Sequence, residues 1–96
     1  MTEDKKTEGH TEDALPRVDF TTFILSLSHS ALMHLGEAPN PENDSVVKNL
    51  PLARQTIDLI AMLEEKTKGN LTGEEERLVG QILFDLRMRY VEHTKK

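Results

Sequence analysis

Two histidines in an otherwise apolar stretch are the most obvious potential metal ligands of this sequence. His29 and His34 are five residues apart, a spacing that separates their rings by about 140° on a helix. A zinc-binding helix instead carries its two histidines four residues apart on one face. We therefore interpret both as structural or interface side chains. His10 and His93 lie in chain ends that we expect to be flexible.

Two arginines near the carboxyl end form the second group with chemical potential. Arg89 follows Asp85 by four residues, the spacing of an ordinary ion pair within one helix. Arg87 borders an apolar helix face and could instead bind a carboxylate of another subunit. A small-ligand or metal site assembled between subunits from His29, His34 and Arg87 is therefore the alternative reading.

The remaining polar residues give no catalytic pattern. Glu74, Glu75, Glu76 and Asp85 are expected to be exposed, with nothing in the sequence to tune a carboxyl group for acid or base catalysis. The serines at the amino-terminal side have no neighbouring base and no nucleophile elbow. Glycine-rich phosphate loops, dinucleotide fingerprints and EF-hands do not occur. We expect no enzymatic activity and no cofactor.

Composition excludes several classes of partner. The 96 residues carry a net charge of −5 and no cysteine, so clustered basic residues for phosphate contacts and thiolate zinc sites are not available. The apolar run at residues 20–35 is shorter than the ~20 residues of a membrane span, and no apolar signal segment begins the chain. We expect a cytoplasmic protein that does not bind nucleic acid. Peripheral membrane association through residues 20–35 is a third reading, which requires that helix to be exposed and which the missing basic polar face disfavours.

The apolar run is predicted to be the central helix of the fold. Residues 19–36 contain no lysine, arginine or glutamate, with Asp19 and Gly36 placed to cap the two ends. Five residues at helical spacing form one apolar stripe: Phe20, Ile24, Leu27, Ala31 and Leu35. Thr22, Ser26 and Ser30 form a second surface of small side chains on the reverse side, so we expect burial on two sides.

Two further helices are predicted after a turn-rich connector at residues 37–49. Asn49 and Pro51 favour the start of a second helix, which is expected to stop before Gly69. Thr72 and Glu75 match a capping box that opens a third helix. The predicted fold is all-α, with a three-helix unit at about residues 20–35, 50–68 and 73–93. Residues 1–18 are expected to be a disordered acidic leader and residues 19–96 a single helical domain.

The third helix carries more apolar surface than one core requires. Val79, Ile82, Leu83, Leu86 and Tyr90 form the face expected to complete the core. A second face lies nearly opposite, so we predict a homodimer or higher oligomer with a helical core. The predicted interface comprises Thr22, Ser26, Ser30, Met33, Phe84, Arg87, Met88 and Val91.

Three strings resemble a family of short bacterial proteins catalogued as a domain of unknown function (domain of unknown function 1844). They are LGEAP, the stretch ARQTIDLIAMLEEKTKGNLT and the end DLRMRY. The resemblance implies a small helical bacterial protein without an assigned activity, and it implies no catalytic residues. We expect a non-enzymatic protein that self-associates and serves as a scaffold or as an accessory subunit that binds another protein.

Overall fold

Three α-helices make up the fold of the computed structural model, which describes residues 18–95. They are α1 (Phe20–Leu35), α2 (Leu50–Lys66) and α3 (Gly73–Thr94). Residues 18–95 contain no strand, and the predicted all-α, three-helix class is confirmed. The helix ends differ little from prediction, since α2 stops two residues earlier and α3 extends one residue further. The predicted disordered leader at residues 1–18 lies, apart from Val18, outside the described residues.

Side-chain caps fix where the first two helices begin. Asp19 Oδ1 accepts a hydrogen bond from the Thr22 N–H at 2.8 Å, and Asn49 Oδ1 accepts one from the Leu52 N–H at 3.1 Å. Both bonds satisfy backbone donors that the first helical turn leaves free. Pro51 stands in the first turn of α2, where its missing N–H costs little.

The third helix starts with the predicted capping box. The Glu75 N–H donates to Thr72 Oγ1 at 3.1 Å, and the Thr72 N–H donates to Glu75 Oε1 at 2.8 Å. Glu74 and Glu76 complete an acidic first turn, which the positive end of the helix dipole stabilises. These local interactions set the register of the helix that carries most of the site described below.

The core lies where the three helices meet, since each one packs against both others. Nine apolar side chains are buried there: Ile24, Ala31, Leu35, Ala53, Ile57, Ile60, Val79, Leu83 and Leu86. They recur at intervals of three, four or seven residues within each helix, the spacing of one helical face. Small Ala31 and Ala53 let neighbouring backbones approach closely. The predicted core faces of α1 and α3 are therefore confirmed.

The reverse side of α1 is less covered than predicted. Phe23 and Leu25 are about half exposed, and Ser26 is exposed, with its hydroxyl donating to the Thr22 carbonyl of the same helix at 3.0 Å. Two neighbouring helices cover only one side of α1 in a single chain. The second side is therefore only partly covered within residues 18–95, and the predicted oligomeric packing stays a prediction.

The capping box gives a direct test of how α3 is held. We expect Thr72→Ala to lower the free energy of unfolding by about 1 kcal/mol, because the Glu75 N–H loses its acceptor. Urea denaturation followed by circular dichroism measures the change. Thr72→Ser keeps the hydroxyl and serves as the matched control with near-normal stability. An unchanged Thr72→Ala midpoint would contradict this role of the capping box.

Candidate functional site

A cluster of charged side chains joins the connector after α1 to the carboxyl-terminal half of α3. Arg89 Nη1 donates a short hydrogen bond to Glu37 Oε1, and His93 Nε2 lies 2.7 Å from Glu37 Oε2. Arg89 Nε donates to Asp85 Oδ2 at 2.8 Å. The predicted pair of Asp85 and Arg89 is present, and it is part of a four-residue cluster.

The backbone around Gly36 brings Glu37 to this position. Gly36 has a φ of 79°, in the left-handed region, and its N–H donates to the Met33 carbonyl at 3.0 Å. A Cβ at this position would lie 3.3 Å from Lys48 Cβ, so the connector passes where a side chain would stand. Glycine suits both the conformation and the close approach. The chain then turns so that the very next residue, Glu37, contacts α3.

Two bases keep Glu37 ionised in this cluster. Partial burial raises the pKa of Glu37, but hydrogen bonds from His93 and Arg89, together with the positive charge of Arg89, outweigh it. The net pKa therefore lies below the ordinary value of 4.5. Hydrogen bonds to Asp85 and Glu37 raise the pKa of Arg89. A carboxylate held in this way is a weak base at neutral pH.

His93 is held in the fold, and the prediction that it lies in a flexible end was wrong. The residue belongs to the last turn of α3, and its side chain is only 13% exposed. Its Nε2 must carry a proton to donate to the Glu37 carboxylate. Its Nδ1 is buried and has no hydrogen-bond partner among the described residues. His10 lies outside the described residues.

The opposite side of α3 borders an open groove of about 580 Å³. Its walls are formed by residues of α3, the C-cap residue after α3 and one residue of α2: Glu64, Gly80, Leu83, Phe84, Arg87, Met88, Val91, Glu92 and Lys95. Phe84, Met88 and Val91 are 67%, 55% and 47% exposed. The predicted second apolar face of α3 therefore has no cover within the described chain.

Arg87 is one of the residues that line this groove. It also borders an adjoining cleft of about 230 Å³, together with Asp58 and Tyr90. Unlike Arg89, Arg87 makes no side-chain hydrogen bond or ion pair with another residue in the range 18–95. Its guanidinium is therefore available to a carboxylate from outside the described chain. That role for Arg87 stays a prediction.

The other predicted interface residues lie on α1. Thr22, Ser30 and Met33 are partly covered, whereas Ser26 is exposed. Met33 also borders a cleft beside the connector, where Val47 and Leu52 form part of the wall. The structure therefore places the predicted interface on two separate surfaces, one on α1 and one on α3.

The alternative site made from His29, His34 and Arg87 is not assembled within one chain. His29 is exposed, His34 borders the cleft beside the connector, and Arg87 borders the groove on α3. Across residues 18–95, no group of three or more histidine, cysteine, aspartate or glutamate residues could hold a metal ion. A site completed between subunits stays a prediction.

Sequence reasoning did not identify Glu37 as part of a site. Glu37 is separated from Arg89 by 52 residues and from His93 by 56 residues, so no local spacing relates them. One signal was available in the strings that carry the family resemblance. Glu37 belongs to LGEAP, and Asp85 and Arg89 belong to DLRMRY, so the cluster physically joins two of those strings.

Fold and site define a small three-helix protein in which α3 carries a charged cluster on one side and an apolar groove on the other. Residues 17–92 match the family model described as Domain of unknown function (DUF1844), and the chain belongs to that family. The predicted membership is therefore confirmed. No curated protein and no solved structure matches this chain. None of the helices within residues 18–95 has the length and hydropathy needed to cross a bilayer.

The cluster predicts a specific acid dependence of stability. The pKa of Glu37 is lower in the folded state than its ordinary value of 4.5. The ionised carboxylate therefore stabilises the fold when the pH is above 4.5. The contribution is lost as the pH falls through the lowered folded-state pKa. We expect Glu37→Gln to cost about 0.5–1 kcal/mol at pH 7, with the difference from the parent chain shrinking below pH 4.5.

Urea denaturation at a series of pH values measures this difference. Glu42→Gln is the matched control, because Glu42 is an exposed carboxylate in the same connector and its side chain has no ion pair with any described residue. The control should follow the parent chain at each pH. A Glu37→Gln deficit that persists undiminished at pH 3 would contradict the proposed ionisation.

Proposed function

We propose that this protein is a non-enzymatic helical protein that self-associates through the groove of α3 and acts as a scaffold or accessory protein-binding subunit. The observation that carries the proposal is the uncovered run of Phe84, Met88 and Val91. Large apolar side chains that are contiguous on one helix face favour an interface, since each gains roughly 1.5–3 kcal/mol when fully buried.

The core does not need these side chains. Val79, Leu83 and Leu86 already fill the inner face of α3 and are almost completely buried. Phe84 and Met88 follow Leu83 and Leu86 by one and two residues, so they turn to a different side of the helix. An ordinary surface helix would carry polar residues there. The outer apolar run therefore supports a role in contacts with another chain.

The charged cluster supports a structural role instead of a catalytic one. Every member bonds another member, and the lowered pKa of Glu37 leaves it a poor proton acceptor at neutral pH. General acid or base catalysis favours a group with a pKa near the working pH. We propose that the cluster fastens the connector to α3, which keeps the outer face of α3 in a fixed orientation.

The proposed location is the bacterial cytoplasm. The family resemblance supports a bacterial source, and the lack of cysteine is compatible with a reducing compartment. The acidic balance of the chain favours protein partners over nucleic acid.

Loss of the outer apolar face should abolish association. We expect the parent chain to be oligomeric at micromolar concentration, and the double variant Phe84→Gln/Met88→Gln to weaken association more than about 100-fold, since apolar contact is lost in every subunit. Glutamine is a good helix former, so α3 should be retained. Sedimentation velocity over a concentration series measures the change, and circular dichroism confirms the helical content.

Val46→Gln/Val47→Gln is the matched control. These two valines are 59% and 67% exposed, comparable with Phe84 and Met88, but they belong to the connector and not to the groove on α3. The control should associate like the parent chain. A parent chain that still sediments as a monomer at concentrations 100-fold above micromolar would overturn the proposal.

A further inference from the structure

We infer that the occupant of the groove is the α3 helix of a second copy, aligned parallel to the first, with Arg87 of each copy paired to Glu92 of the other. This inference rests on the proposed self-association and adds the partner, its direction and the charged contact that selects it. Both residues border the groove, on either side of its exposed apolar run.

The apolar run has the spacing of a two-helix seam. Phe84, Met88, Val91 and Lys95 follow one another at intervals of four, three and four residues. Alternation of three and four is the heptad pattern by which one helix packs along another. Lys95 stands at the end of α3, where its aliphatic stem can extend the seam while the ammonium group stays in water.

Arg87 and Glu92 flank this seam on opposite sides. On a helix, Arg87 lies about 60° to one side of Phe84, and Glu92 about 80° to the other. They correspond to the heptad positions that form salt bridges between helices. Five residues separate them, which on a parallel two-fold pair brings each Arg87 beside the Glu92 of the other copy. Because the dimer is two-fold symmetric, the pair of Arg87 and Glu92 forms twice.

An antiparallel pair would not make this contact. Its two-fold axis brings the same flank of both helices together, so the Arg87 side of one copy would meet the Arg87 side of the other. No ion pair between Arg87 and Glu92 would then form across the seam. The charge pattern therefore selects the parallel arrangement.

Both side chains are free to make the contact. In the range 18–95, neither Arg87 nor Glu92 forms a side-chain hydrogen bond or ion pair. Gly80 lies on the Arg87 flank one heptad earlier, and a Cβ there would meet nothing within 4 Å. Nothing among residues 18–95 crowds that position. Space is thus open beside the seam for a neighbouring helix.

A charge-swap series tests the pairing in the full chain. We expect Arg87→Glu and Glu92→Arg each to raise the dimer Kd about tenfold, because each creates two like-charge contacts. The double variant should return to within about twofold of the parent Kd, since the pair is restored with reversed signs. Lys66→Glu, an exposed residue of α2 outside the groove, is the control for the change in net charge that Arg87→Glu makes.

Cross-linking gives an independent measure of direction. The chain has no cysteine, so Val91→Cys places one thiol on the seam of each copy. A parallel pair brings the two thiols within the distance that a disulfide bond can span. Mild oxidation should then give a disulfide-linked dimer. Val46→Cys, exposed in the connector, is the control that should stay largely monomeric on a denaturing gel.

The outcomes separate the two proposals. Rescue by the double charge swap together with the Val91→Cys cross-link supports the parallel dimer. A parent chain that associates but responds equally to the single and double swaps would overturn the parallel pairing and leave self-association standing. A monomeric parent chain would overturn both.

Discussion

Three helices can cover only one side of each other, and the rest of this structure depends on that constraint. The core takes one face from each helix, and nine buried apolar side chains fill it. Apolar residues on any other face are then left uncovered by the three helices. Phe84, Met88 and Val91 on α3, with Phe23 and Leu25 on α1, are in that position. The excess of apolar surface is thus a consequence of size and topology.

The charged cluster links the connector after α1 to the carboxyl-terminal half of α3. Glu37 lies just after α1, and its partners Arg89 and His93 lie near the end of α3. The bonds therefore close the bundle at the end where the connector leaves α1. Exposed ion pairs contribute little stability individually, but several that share one carboxylate specify a single orientation. A fixed orientation is what an interface on the outer side of α3 requires.

Local signals were enough to predict the helices, while the charged cluster was beyond them. The Asp19 and Thr72 caps act within three residues, and the apolar stripes repeat within each helix, so both can be read directly from the sequence. The contact of Glu37 with His93 depends instead on how the chain returns after Gly36. His93 was predicted to be flexible because it lies near a chain end and has no partner close to it in sequence, whereas Glu37 is 56 residues away. Tertiary contact overcame the usual fraying of a helix end.

Two arginines of α3 show how helix geometry assigns different roles to the same side chain. Arg87 and Arg89 are two residues apart and therefore differ by about 200° in direction. Arg89 faces the connector, where Asp85 and Glu37 satisfy its guanidinium. Arg87 faces the groove, with no acidic partner in the described chain. Side-chain chemistry is the same in both cases. The two residues differ in the side of α3 on which they lie. Arg89 therefore stabilises the fold, whereas Arg87 is available to another chain.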